Sequence, residues 1–353
     1  MADTLTLIRP DDWHLHLRDD VLLANTVAAT AAVFHRAIVM PNLAPPVTNV
    51  ERARAYRERI LAALPADMQF EPLMVIYLTD AMTPADIQAA AESGVVTAAK
   101  LYPAGATTHS DSGVRDPSAI YPLYEALEKY DLPLLLHAEV TDDDIDIFDR
   151  EKVFIDRHLS AIRQHFPALR IVLEHVTTGD GVDFVQSQPT LTAATVTPQH
   201  LMMNRNDLLV GGIRPHNYCL PVLKRREHQL AIQQAVLSGD GRFFLGTDSA
   251  PHARNHKESA CGCAGCFSAP AALPLYATFF DQHQALDKLE GFASRHGPAF
   301  YRLPENRETI TLVRQDWQIP AEVQAHGITL IPWQAGQLLP WRLAPGACRI
   351  RNH

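Results

Sequence analysis

The sequence has few of the features that mark secreted, membrane-bound or nucleic-acid-binding proteins. Five cysteines in 353 residues, an odd number, do not suggest a disulfide framework. The net charge is −9 and no block of Lys and Arg is present, which argues against a nucleic-acid-binding surface. No apolar run is long enough to span a bilayer, and no signal peptide is visible at the N-terminus. We therefore expect a cytoplasmic protein with no nucleic-acid or membrane partner.

The chain also lacks signs of a boundary between domains. No Gly/Ser linker or low-complexity segment divides it, and the residues before the first predicted strand are too few for a separate domain. We predict a single domain over residues 1–353. From about residue 305 the regular alternation of elements is lost, and tryptophans with several prolines suggest an irregular C-terminal tail packed on the rest.

What the chain does contain is a repeated alternation of short apolar runs and longer amphipathic segments. Eight such units predict a parallel (β/α)8 barrel, the TIM-barrel fold, with an α/β class. A doubly wound sheet is the alternative, but no GxGxxG follows the first strand. The predicted strands are 13–17, 37–40, 73–78, 96–101, 132–137, 170–174, 191–196 and 243–246. The main predicted helices are 50–64, 84–93, 119–130, 152–165 and 222–238.

Histidine is abundant, with 17 residues, and two histidines lie in the first predicted strand. His14 and His16 are two residues apart, so in a strand both side chains point to one face. Two imidazoles that converge in this way suit a metal site. The alternative is a pair of solvent-facing histidines on an edge strand.

The ends of later strands favour the metal site. Lys100, His137, His175 and Asp248 each lie at the end of a predicted strand. Because chemistry in these barrels takes place at the C-terminal ends of the strands, we expect these groups to meet. Imidazole and carboxylate ligands suit zinc, and the set is large enough for two metal ions. An ammonium cannot lie between two cations, so Lys100 would have to lose its charge or change it. Carboxylation to a carbamate would give an anion that can bridge two metal ions.

Other polar residues suit a substrate. Arg18, two positions beyond His16, is expected on the same face, where its guanidinium fork could bind a carboxylate. The segment 103–113 is small and polar, which favours a mobile lid, with Thr107 and Thr108 as hydrogen-bond donors. A passive flexible loop is the alternative. Three cysteines in the pattern CxCxxC lack a well-spaced fourth zinc ligand, so we expect reduced thiols there.

Four stretches of the chain, 9–18, 40–47, 98–103 and 246–252, are long and specific. In them the sequence resembles the amidohydrolase superfamily and, within it, the short, homodimeric type of dihydroorotase. The resemblance covers almost the whole chain. It implies a homodimeric enzyme that interconverts N-carbamoyl-L-aspartate and L-dihydroorotate plus water in pyrimidine biosynthesis.

The resemblance also implies a role for individual residues. It implies two Zn²⁺ per subunit, bridged by N6-carboxylated Lys100 and a hydroxide, with His14, His16 and Asp248 on one ion and His137 and His175 on the other. Asp248 would move the proton, and a purely structural metal ligand is the alternative. The implied substrate-binding residues are Arg18, Asn42, Thr107, Thr108, His137, Leu220, His252 and Ala264.

Two other functions stay open at this point. Another cyclic amide hydrolase, such as a hydantoinase or an allantoinase, would share the metal ligands. It would lack the pair of Arg18 and Asn42 together with the run 250–252. A non-catalytic scaffold of the same fold is the second alternative, although such proteins typically lose metal ligands and this chain retains all six.

Overall fold

In the computed structural model, which describes residues 3–350 and the side chains of residues 3–348, an eight-stranded parallel sheet forms the centre of the molecule. Each of its strands pairs with the next one along the chain, and helices connect them, as in a TIM barrel. The strands are β1 (Thr4–Ile8), β2 (Asp12–Leu15), β3 (Arg36–Val39), β4 (Glu71–Tyr77), β5 (Val96–Leu101), β6 (Leu134–Leu136), β7 (Ile171–Leu173), β8 (Thr192–Val196), β9 (Phe243–Leu245), β10 (Glu308–Gln318), β11 (Val323–Ala325), β12 (Ile328–Leu330) and β13 (Leu338–Ile350).

The helices cover the outside of the barrel, and none within residues 3–350 is long and apolar enough to cross a membrane. The predicted helix 152–165 is interrupted by one π-helical turn at Ile155–Leu159. The helices are α1 (Leu23–Ala31), α2 (Val50–Ala63), α3 (Pro84–Glu92), α4 (Tyr121–Lys129), α5 (Arg150–Phe154), α6 (Ser160–His165), α7 (Gly179–Ser187), α8 (Pro198–Met202), α9 (Arg205–Leu209), α10 (Arg226–Ser238), α11 (Arg254–Lys257), α12 (Ala272–Gln282), α13 (Leu286–Glu290) and α14 (His296–Tyr301).

The predicted barrel is confirmed. Strands β2 to β9 correspond one to one with the eight predicted runs, and their ends differ from the predicted ends by at most two residues. The apolar runs form strands because both faces of a parallel barrel strand are buried, one by the barrel interior and one by helices. Strand β4 follows this pattern, since all of its residues except the first are buried.

The barrel closes between its first strand, β2, and its last, β9. The backbone N–H of Asp248, which follows β9, donates to the carbonyl of His14 at 2.7 Å. The carboxylate of Asp12 accepts from the backbone N–H of Thr247 at 2.8 Å and from its hydroxyl at 2.6 Å. These bonds hold the two strand ends together at the same mouth of the barrel.

Alternate residues of the strands fill the barrel interior. At one end of this interior the indole of Trp13 stacks on the ring of Tyr301, with 4.4 Å between ring centroids and 7° between planes. Gly297 lies against the same indole, and a Cβ at that position would come within 1.9 Å of Nε1. The buried interior cluster comprises Trp13, Ile38, Met40, Leu73, Val75, Ala98, Leu135, Val172, Ala193, Phe244 and Tyr301.

The prediction of an irregular C-terminal tail from about residue 305 is wrong. Strands β1, β10 and β13 form an antiparallel sheet in that order, and β11 pairs with β12. Residues of β10 alternate between buried and more exposed positions, as Ile310 and Leu312 show. Strand β13 lies at an edge of its sheet, which explains why it accommodates Pro340 and Pro345. That the chain is one domain stays a prediction.

The stacking of Trp13 makes Gly297 sensitive to substitution. We expect Gly297→Ala to destabilise the protein by about 1–3 kcal/mol, because the new methyl group would displace the indole. Gly241→Ala is the matched control, since a Cβ there would meet only the ring of His296 at 3.8 Å. Thermal unfolding of both variants checks this, and equal melting temperatures would contradict it.

Candidate active site

A pocket opens at the C-terminal ends of the barrel strands. It combines residues at the ends of six of the barrel strands with residues of two longer loops. All but two of the residues predicted for the site line it; Lys100 and His252 are not among the lining residues. The lining residues are His14, His16, Arg18, Asn42, Tyr102, Thr107, Thr108, His137, His175, Leu220, Asp248, Ala250, Ala264 and Gly265.

Barrel closure brings His14, His16 and Asp248 together. The Oδ1 atom of Asp248 lies 3.1 Å from Nε2 of His16 and 3.3 Å from Nε2 of His14. One ligand atom from each residue lies within 4.8 Å of the others, a spacing that suits a metal ion. Burial opposes the charge of Asp248, but hydrogen bonds from both histidines hold the pKa of Asp248 well below its usual value.

His137 and His175 lie beside this cluster. Their ring centroids are 4.8 Å apart, and the His175 ring is 5.0 Å from the His14 ring. Nε2 of His137 lies 2.9 Å from a carboxylate oxygen of Glu139. Burial opposes ionisation of Glu139, but His137 and the cation of Lys224 lower the pKa of this carboxyl group. An ionised Glu139 can accept a proton from Nε2 of His137, and the tautomer protonated there would present Nδ1 to a metal ion.

Lys100 lies beneath the pocket and is fully buried. Its Nζ contacts Glu174, whose other carboxylate oxygen lies 3.0 Å from Nδ1 of His14. Sequence reasoning missed Glu174, because it treated this residue only as the last residue of an apolar strand. A carboxylate inside such a run, directly before His175, was the available signal, since buried acidic groups are rare unless they are paired.

Three site residues adopt a left-handed backbone conformation. The φ angles are 60° at Arg18, 42° at His175 and 46° at Asp248. Such angles cost free energy for residues with a Cβ and concentrate at functional sites. They also correct one expectation: β2 ends at Leu15, so Arg18 reaches the pocket through a left-handed turn and not through strand alternation.

The donors of the site fit a metal ion. Burial lowers the pKa of His16 to about 4 and holds that of His175 well below its usual value, so both imidazoles are neutral, as metal ligands must be. Burial also opposes a charge on His14, but the carboxylates of Glu174 and Asp248 raise its pKa to about 9, so this ring must lose a proton when a metal ion binds. Nδ1 of His175 is buried and has no hydrogen-bond partner among the described residues. Neutral imidazoles together with a carboxylate are the donor set that zinc and similar divalent ions prefer.

A second set of contacts surrounds the guanidinium of Arg18. Its Nε donates to the carbonyl of Pro251 at 3.2 Å, and one terminal nitrogen lies 2.8 Å from Nε2 of His252. The same Nε2 lies 3.0 Å from the carbonyl of Ala264. Burial, then the charge of Arg18, lowers the pKa of His252 to about 2, so this ring is neutral. One nitrogen of a neutral ring can accept from Arg18 or donate to Ala264, and the tautomer decides which.

The segment 103–113 lies across the pocket. Thr107 and Thr108 both line it, and the side-chain amide of Asn42 donates to the carbonyl of Thr108 at 2.9 Å. A turn within the segment is held by Ser110, whose hydroxyl accepts from the N–H of Thr107 and donates to its carbonyl. The two threonines therefore stand where hydroxyl groups could reach a bound substrate; that the segment is a mobile lid stays a prediction.

The cysteines form no disulfide within the described residues. The sulfur atoms of Cys261 and Cys263 are 3.8 Å apart, and neither belongs to a cluster of three potential metal ligands in that part of the chain. The thiols of the CxCxxC pattern, Cys261, Cys263 and Cys266, are free as predicted, and Cys219 and Cys348 are free as well.

With this fold and this site, residues 4–312 match the model of the Amidohydrolase family, and the chain belongs to that family. It is 67% identical to a dihydroorotase of Alcanivorax borkumensis over 97% of this chain and 100% of the relative. The structure of a Saccharomyces cerevisiae dihydroorotase in complex with 5-fluoroorotic acid matches with a TM-score of 0.89 and 31% identity over 100% of both chains. Within the amidohydrolases, this chain thus belongs with the dihydroorotases.

The fold alone does not separate the dihydroorotases from related hydrolases. The L-hydantoinase of Arthrobacter aurescens matches with a TM-score of 0.78, over 99% of this chain and 85% of that chain, at only 16% identity. At that identity the likeness concerns the barrel and not the reaction.

Glu139 offers a test of how the site holds metal. We expect Glu139→Ala to weaken metal binding by about 10–100-fold, because His137 would lose the acceptor that orients its ring. Glu139→Gln keeps an acceptor oxygen at the same reach and is the matched control. Competition with a chromogenic chelator measures both affinities, and an unchanged affinity in Glu139→Ala would show that His137 needs no such partner.

Proposed function

We propose that this protein catalyses the reversible cyclisation of N-carbamoyl-L-aspartate to L-dihydroorotate and water. The observation that carries the proposal is the pairing, in one pocket, of a cluster of possible metal ligands with Arg18, which forms no ion pair with a carboxylate of the described residues. The cluster suits attack on an amide carbonyl, and the guanidinium of Arg18 suits the carboxylate that both substrates carry. The identity to named dihydroorotases supports the same reaction.

For the metal centre we propose two zinc ions in each subunit. His14, His16 and Asp248 would hold one and His137 with His175 the other, and Lys100, carboxylated on Nζ, would contribute to both. When bound, the ions would lower the pKa of a water molecule and polarise the amide carbonyl. The burial of Lys100 supports its modification, because a carbamate would replace an ammonium that is costly to keep beside metal ions.

The remaining residues would bind and orient the substrate. Arg18 offers two parallel N–H groups to the carboxylate, with Asn42 and His252 beside it. Asp248 would take a proton from the attacking water on one oxygen and pass it to the leaving amide nitrogen, as a general acid–base. Thr107 and Thr108 would donate hydrogen bonds and exclude water when the segment 103–113 is closed over substrate.

We also propose that the protein works in the cytoplasm as a homodimer. Free thiols as close as those of Cys261 and Cys263 suit a reducing compartment, which supports the first part. Resemblance to the short dihydroorotases supports the second part. Sizing by light scattering would test it directly.

The proposed function is tested by metal analysis together with substrate comparison. The purified protein should contain zinc, hydrolyse L-dihydroorotate and lose this activity on dialysis against a chelator. Hydantoin and allantoin, cyclic amides without the carboxylate, should be poor substrates. Preference for either one would indicate a different cyclic amide hydrolase, and a protein that binds no metal and is inactive would indicate a non-catalytic scaffold.

Arg18 is the residue on which substrate choice should depend. We expect Arg18→Lys to lower kcat/KM for L-dihydroorotate by a factor corresponding to about 2–5 kcal/mol, because an ammonium cannot reproduce the two-pronged contact. Arg115→Lys is the control, since that side chain is 87% exposed. Steady-state kinetics with metal content determined in parallel measures the effect; wild-type kcat/KM in Arg18→Lys would remove the assignment.

A further inference from the structure

Lys257 is a buried lysine that no step of the proposed reaction uses. Only 3% of its surface is exposed, and its Nζ donates to three backbone carbonyls, those of Cys263 at 2.7 Å, Tyr218 at 2.9 Å and Gly265 at 2.9 Å. An ammonium has three N–H donors, so each is satisfied. It also lies 5.7 Å from the centroid of the Tyr218 ring, and it forms no ion pair with a carboxylate of the described residues. A buried cation without a carboxylate partner is unusual and calls for an explanation.

The three carbonyls belong to two loop segments that contribute lining residues to the pocket. We call these segments the pocket wall. One segment carries Tyr218 and Leu220, and the other carries Ala264 and Gly265; Leu220, Ala264 and Gly265 line the pocket. The segments also contact each other, since the N–H of Gly265 donates to the carbonyl of Tyr218 at 2.9 Å. Lys257 therefore joins two parts of the wall at one point.

The direction of these bonds matters for the pocket. In a planar trans peptide the carbonyl of one residue and the N–H of the next point to opposite sides. Because Lys257 binds the carbonyl of Cys263, the N–H of Ala264 points away from Lys257. The N–H groups of Ala264 and Leu220 have no acceptor among the described residues. Leu220 and Ala264 are only partly buried and line the pocket, so their N–H groups are available to a ligand there.

The wall segment is also fixed from its other side. The carbonyl of Ala264 lies 3.0 Å from Nε2 of His252, which contacts Arg18. A Cβ at Gly265 would come within 2.5 Å of the carbonyl of Ala250, so this backbone approaches the end of the barrel closely. Lys257 thus completes a clamp around residues 263–265, with His252 on one side and Ala250 below.

We infer that Lys257 is a positioning residue for the polar edge of the substrate ring. It orients the N–H of Ala264 through the carbonyl of Cys263, and it fixes the segment that carries Leu220 through the carbonyl of Tyr218. The inference rests on the proposed function, from which it takes the ring of dihydroorotate as the ligand. Lys257 does not line the pocket and forms no hydrogen bond to a metal-ligand residue, so we expect its loss to change substrate affinity and not the chemical step. Without these bonds, the wall segments would have to become ordered each time a substrate binds. The free energy that this ordering costs would weaken binding of the substrate and of the transition state equally.

The test compares Lys257→Met with Lys288→Met, which removes a lysine that is 44% exposed. In Lys257→Met we expect KM for L-dihydroorotate to rise about 10–100-fold, with kcat and metal content near those of the wild type. The Kd for 5-fluoroorotic acid, measured by calorimetry on the metal-loaded protein, should rise by the same factor. The control variant should leave all four quantities unchanged.

Two outcomes would overturn the inference. One is a folded Lys257→Met variant with wild-type KM and Kd; the other is a lower melting temperature and lower kcat at unchanged KM, which would indicate a purely structural lysine. If Lys257→Met does not fold, Lys257→Arg is measured in its place. The planar guanidinium keeps the charge but cannot direct three donors to three converging carbonyls. A smaller rise in KM supports the inference, and an unchanged KM overturns it.

Failure of the proposed function would look different. The wild-type protein itself would then be inactive towards L-dihydroorotate. Hydrogen exchange at the amide of Gly265, which bonds to the carbonyl of Tyr218, would still report whether Lys257 holds the wall. Faster exchange in Lys257→Met would support the clamp for some other ligand, and unchanged exchange would exclude it.

Discussion

The site depends on the closure of the barrel between its first and last strands. At this closure, residues of the first barrel strand, β2, meet residues that follow the last one, β9. The backbone N–H of Asp248 bonds to His14, and Thr247 donates two hydrogen bonds to Asp12. The same contact sets Asp248 within 3.3 Å of both histidines. A sheet that stayed open would have the same strands and the same side chains but would place the carboxylate and the imidazoles at opposite edges.

The two halves of the pocket are organised by opposite charges. On the metal side, buried carboxylates hold the side chains: Glu139 contacts His137, and Glu174 contacts His14 and Lys100. On the side of Arg18, the buried ammonium of Lys257 contacts backbone carbonyls of the pocket wall. None of these three charged groups lines the pocket, so in each half a charge outside the pocket holds groups that line it.

Much of this could be predicted, because barrel strands carry strong local signals. Apolar runs predicted the strands, because barrel strands are buried on both faces. Polar residues at the ends of these runs predicted the candidate metal ligands, because sites in such barrels lie at the C-terminal ends of the strands. The terminal sheet was missed because Pro340 and Pro345 suggested irregular chain, whereas an edge strand tolerates them. Leu220 and Ala264 entered only through family resemblance, because a backbone N–H leaves no mark on residue type. Glu174 had a signal in the sequence, an acidic residue in an apolar run, but its partners and those of Lys257 could be known only from the packing.

Barrel closure also sets the order of events while the chain is being made. His14 and His16 emerge from the ribosome early, but their partner Asp248 follows only after most of the barrel has been synthesised. At a translation rate of about 5–20 residues per second, the interval lasts tens of seconds. During that time a metal ion of the kind proposed above would have the two imidazoles as ligands but not Asp248. Complete ligation by this cluster would therefore begin only in a chain whose last barrel strand is in place.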